Sequence, residues 1–212
     1  MNHLAALLLK DICFLRYKLL YVMIIPTLLT LGVAFYNPVM LGVPCITIII
    51  LCVIPMSLQS LLIIESRDRK AKDYLLALPY SRKTIVAARY LFLMAEGLLC
   101  IGIYLLLLLF TGNWSVFSIS DMILTAGITG LMISIIMPLS YLIKSELFQR
   151  LLFFIPVYLS FVVSGITEHF PHIWDSFAAG FSISIVMIVA CSFCLILYLS
   201  AKISEKLLRV RE

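Results

Sequence analysis

Residues Met40 to Ile64, MLGVPCITIIILCVIPMSLQSLLII, form a run of 25 positions with no Asp, Glu, Lys, Arg or His. A helix needs roughly 20 apolar residues to cross the hydrocarbon core of a bilayer, so this run is long enough to span. It is too long for a barrel strand and lacks the alternation of one. In lipid a helix satisfies every backbone N–H and C=O within itself. Working outward, the same reading applies to Leu19–Phe35 before it and to Tyr90–Phe110, Ser120–Ile143, Leu151–Ile166 and Phe177–Ala201 after it. The expected fold class is therefore all-α: a polytopic membrane protein with six transmembrane helices in one domain, 1–212.

Composition leads to the same place. With 63% hydrophobic and 13% charged residues and a mean hydropathy of +1.13, a soluble globular domain is excluded. The first apolar run, Leu4 to Leu9, is too short for a signal-peptide core. Lys10, Asp11, Arg16 and Lys18 follow it instead of a small-residue cleavage site, so no cleavage is expected.

The sixteen Lys and Arg residues fall in four places: the N-terminus, Arg67 to Arg89, the turn with Lys144 and Arg150, and the tail after Ala201. The intervening segments, around Asn37, from Gly112 to Ser118 and from Thr167 to Ser176, contain none. The positive-inside rule then places both termini in the cytoplasm, in a cell-membrane protein. The net charge of +5 reflects this asymmetry and gives no reason to expect nucleic acid as a partner.

Residues 1–18 read as a weakly amphipathic helix on the inner membrane surface. Leu4, Leu8, Ile12, Leu15 and Leu19 lie on one side, and His3, Lys10, Asp11 and Lys18 opposite. In the fourth span Ala126, Gly130 and Ser134, with Gly127 adjacent, offer a face that another helix can approach closely, from this chain or a second one. Pro26, Pro44, Pro55, Pro138 and Pro156 interrupt spans; each is tolerable where a neighbour satisfies the freed carbonyl. The six cysteines read as reduced, packed thiols, including the Cys191/Cys194 pair within a span.

The long loop between spans two and three, ESRDRKAKDYLLALPYSRKTIVAARY from Glu65 to Tyr90, reads as helix, break, helix. Ala71, Tyr74, Leu75 and Leu78 make an apolar stripe at helical spacing in an otherwise charged stretch. Pro79 ends that helix, and Ser81 is placed to cap the next, which continues through Ile85 into the third span. Such a helix can dock in a groove of a soluble partner or lie on the headgroups.

The run Glu65, Arg67, Lys72, Asp73, Tyr74, Leu75, Leu78, Pro79, Ser81, Arg82, Ile85, Val86, Ala88, Arg89, Tyr90 resembles the signature of permease subunits of type-2 ATP-binding-cassette exporters. The resemblance implies a coupling helix, Glu65 to Leu78, docked in a cleft of a separate ATPase subunit. It makes Glu65, Asp73, Tyr74, Leu75, Leu78, Pro79, Ser81 and Arg82 the ATPase-coupling candidates. It also implies a second permease chain, as homodimer or paralogous heterodimer, and an external loop, 167–176, that dips back toward the membrane. The chain has no GxxxxGK[ST] phosphate loop, so no cofactor is expected here and the partner ATPase is expected to bind ATP and Mg2+. Small permeases of this size resemble exporters of amphipathic or antimicrobial peptides such as phenol-soluble modulins.

Glu96 is the one ionisable residue well inside a span and is the candidate for the substrate path, for instance against a cationic group. The alternative for it is a structural carboxylate. His169 and His172, with Glu168 and Asp175 near, read as an external loop in preference to a metal site. No cluster suggests catalysis, so the chain is not expected to be an enzyme. The rival functional reading is a membrane protein without transport activity, an immunity factor or a membrane anchor.

Overall fold

The computed structural model describes residues 3–36, 43–67, 81–110, 119–142 and 183–211, with isolated positions at 158, 162 and 169. They form helices α1 (His3–Tyr36), α2 (Val43–Arg67), α3 (Arg82–Phe110), α4 (Ile119–Leu142) and α5 (Ile183–Arg211). Among the described residues three helical stretches are long and apolar enough to cross a membrane: Cys45–Ile63, Arg82–Leu106 and Thr125–Leu142. The expected fifth span, Leu151–Ile166, and the loop 167–176 lie outside the described residues but for those isolated positions.

Two helix pairs, α1 with α2 and α4 with α5, are bridged by α3, which packs against all four others. The reason is visible along α3. Val86, Tyr90, Leu93, Ile101, Tyr104 and Leu108 recur at helical spacing and are buried. Leu91, Leu98, Leu106 and Leu109 recur on the outer side and are 48–64% exposed. A face of exposed leucines suits lipid and not water. The core is closed by the α2 residues Ile46, Ile49, Ile50, Val53, Ile54, Leu58 and Leu61, all buried.

α1 departs from expectation in two ways. It is one unbroken helix of 34 residues, with no boundary at Lys18 between a surface helix and a span. The stripe it buries is Leu7, Asp11, Leu15 and Val22, whereas Ile12, from the apolar side read in the sequence, is 52% exposed. Asp11, placed on the polar side, is buried, with Lys10 Nζ 3.0 Å from its Oδ1. Because residues 3–36 are one continuous helix, packing against α2 and α3 chooses the buried face, and it overrides a weak local pattern.

Candidate functional site

Ser81 immediately precedes α3. Its Oγ accepts the N–H of Thr84 at 3.3 Å, and its carbonyl accepts the N–H groups of Thr84 and Ile85 at 2.9 and 3.2 Å. This is an N-cap with the acceptor three residues before the donor, and it satisfies part of the helix start that α3 leaves open. Arg82, the first residue of α3, is half-buried.

Two turns further on, consecutive residues reach different helices. Arg89 is buried, donates from Nη1 to the Tyr141 hydroxyl on α4 at 3.1 Å, and lies 5.6 Å from the centre of that ring. A guanidinium can hydrogen-bond and stack at once, which suits it to a partly apolar site. Tyr90 turns the other way, with its hydroxyl 2.5 Å from Ser200 Oγ and 3.2 Å from Ser204 Oγ, both on α5.

Ser200 Oγ in turn donates to the backbone carbonyl of Ser134 on α4 at 2.6 Å. The cause lies four residues on, where Pro138 has no N–H to offer that carbonyl. A hydroxyl carries one proton. Since Ser200 gives its proton to Ser134, Tyr90 must donate to Ser200, and Ser204 is left to donate to Tyr90. The result is a directed chain from Ser204 through Tyr90 and Ser200 to the carbonyl of Ser134, and it joins three helices.

Glu96 is 3% exposed. The Ser57 hydroxyl on α2 donates to its Oε1, while Oε2 is buried without a hydrogen-bond partner among the described residues. The Ser57 to Glu96 hydrogen bond thus marks a level at which α2 and α3 meet. One residue on, a Cβ on Gly97 would sit 2.6 Å from Thr129 Cγ2, so glycine is what lets α4 close on this level.

The small-residue face of α4 finds its partner within the chain. A Cβ on Gly130 would overlap the Phe193 ring of α5, and Ser134 lies under Ser200, whereas a Cβ on Gly127 would meet nothing within 4 Å.

Residues 6–209 of the 212 match the family model of the ABC-2 family transporter proteins. The chain belongs to that family. It is the membrane-spanning permease of an ABC exporter, with an ABC ATPase as the partner the family implies. No curated protein and no solved structure matches the chain.

In this ABC-2 permease Ser81 and Arg82 stand at the start of α3, on the same helix as Glu96. Asp73, Tyr74, Leu75, Leu78 and Pro79 lie outside the described residues, as does the side chain of Glu65 at the end of α2. His172, Glu168 and Asp175 lie outside them too, and the described residues hold no group of three or more His, Cys, Asp or Glu placed to bind a metal. Cys45 and Cys100 are buried, while Cys194 is exposed on α5.

Sequence reasoning missed Ser57, Gly97, Thr129, Tyr141 and Ser200. For Ser200 a signal existed: Pro138 announces a carbonyl in need of a donor, and a serine in an apolar span is a donor in need of an acceptor. What the sequence lacks is the pairing between them.

Proposed function

We propose that this permease forms the path by which an ABC exporter expels an amphipathic or hydrophobic peptide. Six spans with both termini in the cytoplasm would form one half of a dimer of like or sibling chains. The observation that carries the reading is the family match over nearly the whole length. Residues 68–81 join α2 to α3, and α3 is the helix that touches every other described one, so a push on that segment has a route to the bundle. The coupling face is Tyr74, Leu75 and Leu78, docked in a cleft of the ATPase, which binds ATP and Mg2+ and supplies the energy.

Glu96 belongs to the substrate path in this reading. A buried carboxylate with one bare oxygen is satisfied by a cationic group, and many amphipathic peptides carry lysine ammonium groups. The deciding experiment purifies the chain from its native membrane in mild detergent and reconstitutes it with whatever co-purifies. An ATPase in stoichiometric amount, whose hydrolysis rises when a cationic amphipathic helical peptide is added, supports the proposal. Isolation without an ATPase favours the anchor or immunity reading.

A further inference from the structure

α3 is one continuous helix from Arg82, so displacement of its start is carried along its axis to Tyr90, about 12 Å away. There the hydroxyl chain to Ser204, Ser200 and the Ser134 carbonyl begins. We propose that this chain, anchored on the carbonyl that Pro138 frees, is the joint through which movement of the segment before α3 reaches α5 and α4. Tyr90 and Ser200 are positioning residues for transport, and the inference rests on the exporter reading above.

The argument turns on what each bond has in reserve. Ser200 can turn its hydroxyl to the carbonyl four residues back in its own helix, a common arrangement for serine. Ser134 has no such alternative, because the donor its carbonyl would use within α4 is absent at Pro138. Separating α5 from α4 therefore leaves a carbonyl bare ~12 Å from the Leu142 end of α4, where lipid offers no replacement. Tyr90 ties α3 to the same serine. Three helices are thus held by a link that is costly to open at one end, and they shift together more readily than singly. Arg89 and Tyr141 brace α3 against α4 on the neighbouring side.

The test follows input and output separately in the reconstituted permease with its ATPase. Spin labels go on Ile12 of α1 and Leu91 of α3 to read the input, and on Ile12 and Lys206 of α5 to read the output. All three positions are exposed. Distances are measured without nucleotide and with ATP plus vanadate. In the otherwise unaltered permease both distances shift. In Tyr90→Phe and in Ser200→Ala the Ile12–Leu91 shift remains and the Ile12–Lys206 shift is lost, while Ser200→Thr, which keeps the hydroxyl, retains both. Adding Pro138→Ala to Ser200→Ala restores the α4 hydrogen bond, and with it thermal stability, without restoring the Ile12–Lys206 shift. The proposal is overturned if Tyr90→Phe and Ser200→Ala keep the α5 shift, if the double variant regains it together with stability, or if α5 in the unaltered permease never moves while α3 does. Absence of any ATPase from the preparation overturns the exporter reading, and this inference with it.

Discussion

Ser200 Oγ lies 2.6 Å from the carbonyl oxygen of Ser134, the one backbone acceptor in α4 that Pro138 deprives of its helical donor. A side chain of one helix thereby completes the backbone of another. The proline and the hydroxyl form a pair whose energies cannot be additive.

Removing Ser200 alone leaves a buried carbonyl unsatisfied, at a cost of about 1–3 kcal/mol. In a Pro138→Ala background the regained N–H satisfies the carbonyl, and Ser200→Ala should then cost less than about 1 kcal/mol. Denaturant or SDS titration of the four proteins of this cycle measures the difference. Equal costs in both backgrounds would mean that the hydroxyl does not serve the carbonyl.

Gly130 meets the ring of Phe193 where its Cβ would be, and the contact between α4 and α5 depends on that hydrogen. Gly130→Ala should destabilise by about 1–3 kcal/mol, the usual cost of overpacking. Gly127→Ala, with open space at its Cβ, should be near neutral. Adding Phe193→Leu should recover part of the loss at Gly130. Thermal melts of the purified variants decide it, and an equal loss at Gly127, where helix propensity favours alanine, would mean that the Phe193 ring does not set the cost.

For Glu96 the expected outcome of Glu96→Gln is unchanged insertion and ATPase assembly, with weaker stimulation by a lysine-bearing amphipathic peptide. Stimulation by the same peptide with its lysines acetylated should be unaltered. The amide keeps the shape and can still accept from Ser57, so a loss confined to the cationic peptide reports the charge. Full stimulation by both peptides would reduce Glu96 to a structural carboxylate.

On the coupling face, Leu75→Glu puts a charge in an apolar contact. Burial of a leucine is worth roughly 1.5–3 kcal/mol, so ATPase association should weaken about tenfold or more. Lys70→Gln should do much less, since exposed ion pairs contribute at most about 1 kcal/mol. Pull-down of the ATPase from membranes separates the two, and the reverse ranking would place the docking face elsewhere.

Orientation is open to a direct measurement. In a background without native cysteines, single cysteines at Asn113 and Ser176 should react with an impermeant thiol reagent added to intact cells, and one at Ser66 should not. Labelling at Ser66 alone would invert the topology.

The helical spans were legible in the amino-acid sequence because hydrophobic length is a local property. α2, α3 and α4 begin and end within a few residues of the apolar runs or, at Arg82, at the serine cap read for α3. The charge of Glu96 within a span is equally visible, and so is the gap that Pro138 leaves. Tertiary structure alone decided which neighbours answer them: Ser57 for Glu96, Ser200 for the carbonyl of Ser134, Phe193 for the space at Gly130. It also turned α1, burying Asp11 where the local pattern had set Ile12. In lipid every face of these helices is apolar, so hydrophobicity settles that a helix spans but hardly which way it faces. That choice falls to close packing and to a few hydrogen bonds between residues as far apart in sequence as Tyr90 and Ser204, which no local pattern encodes.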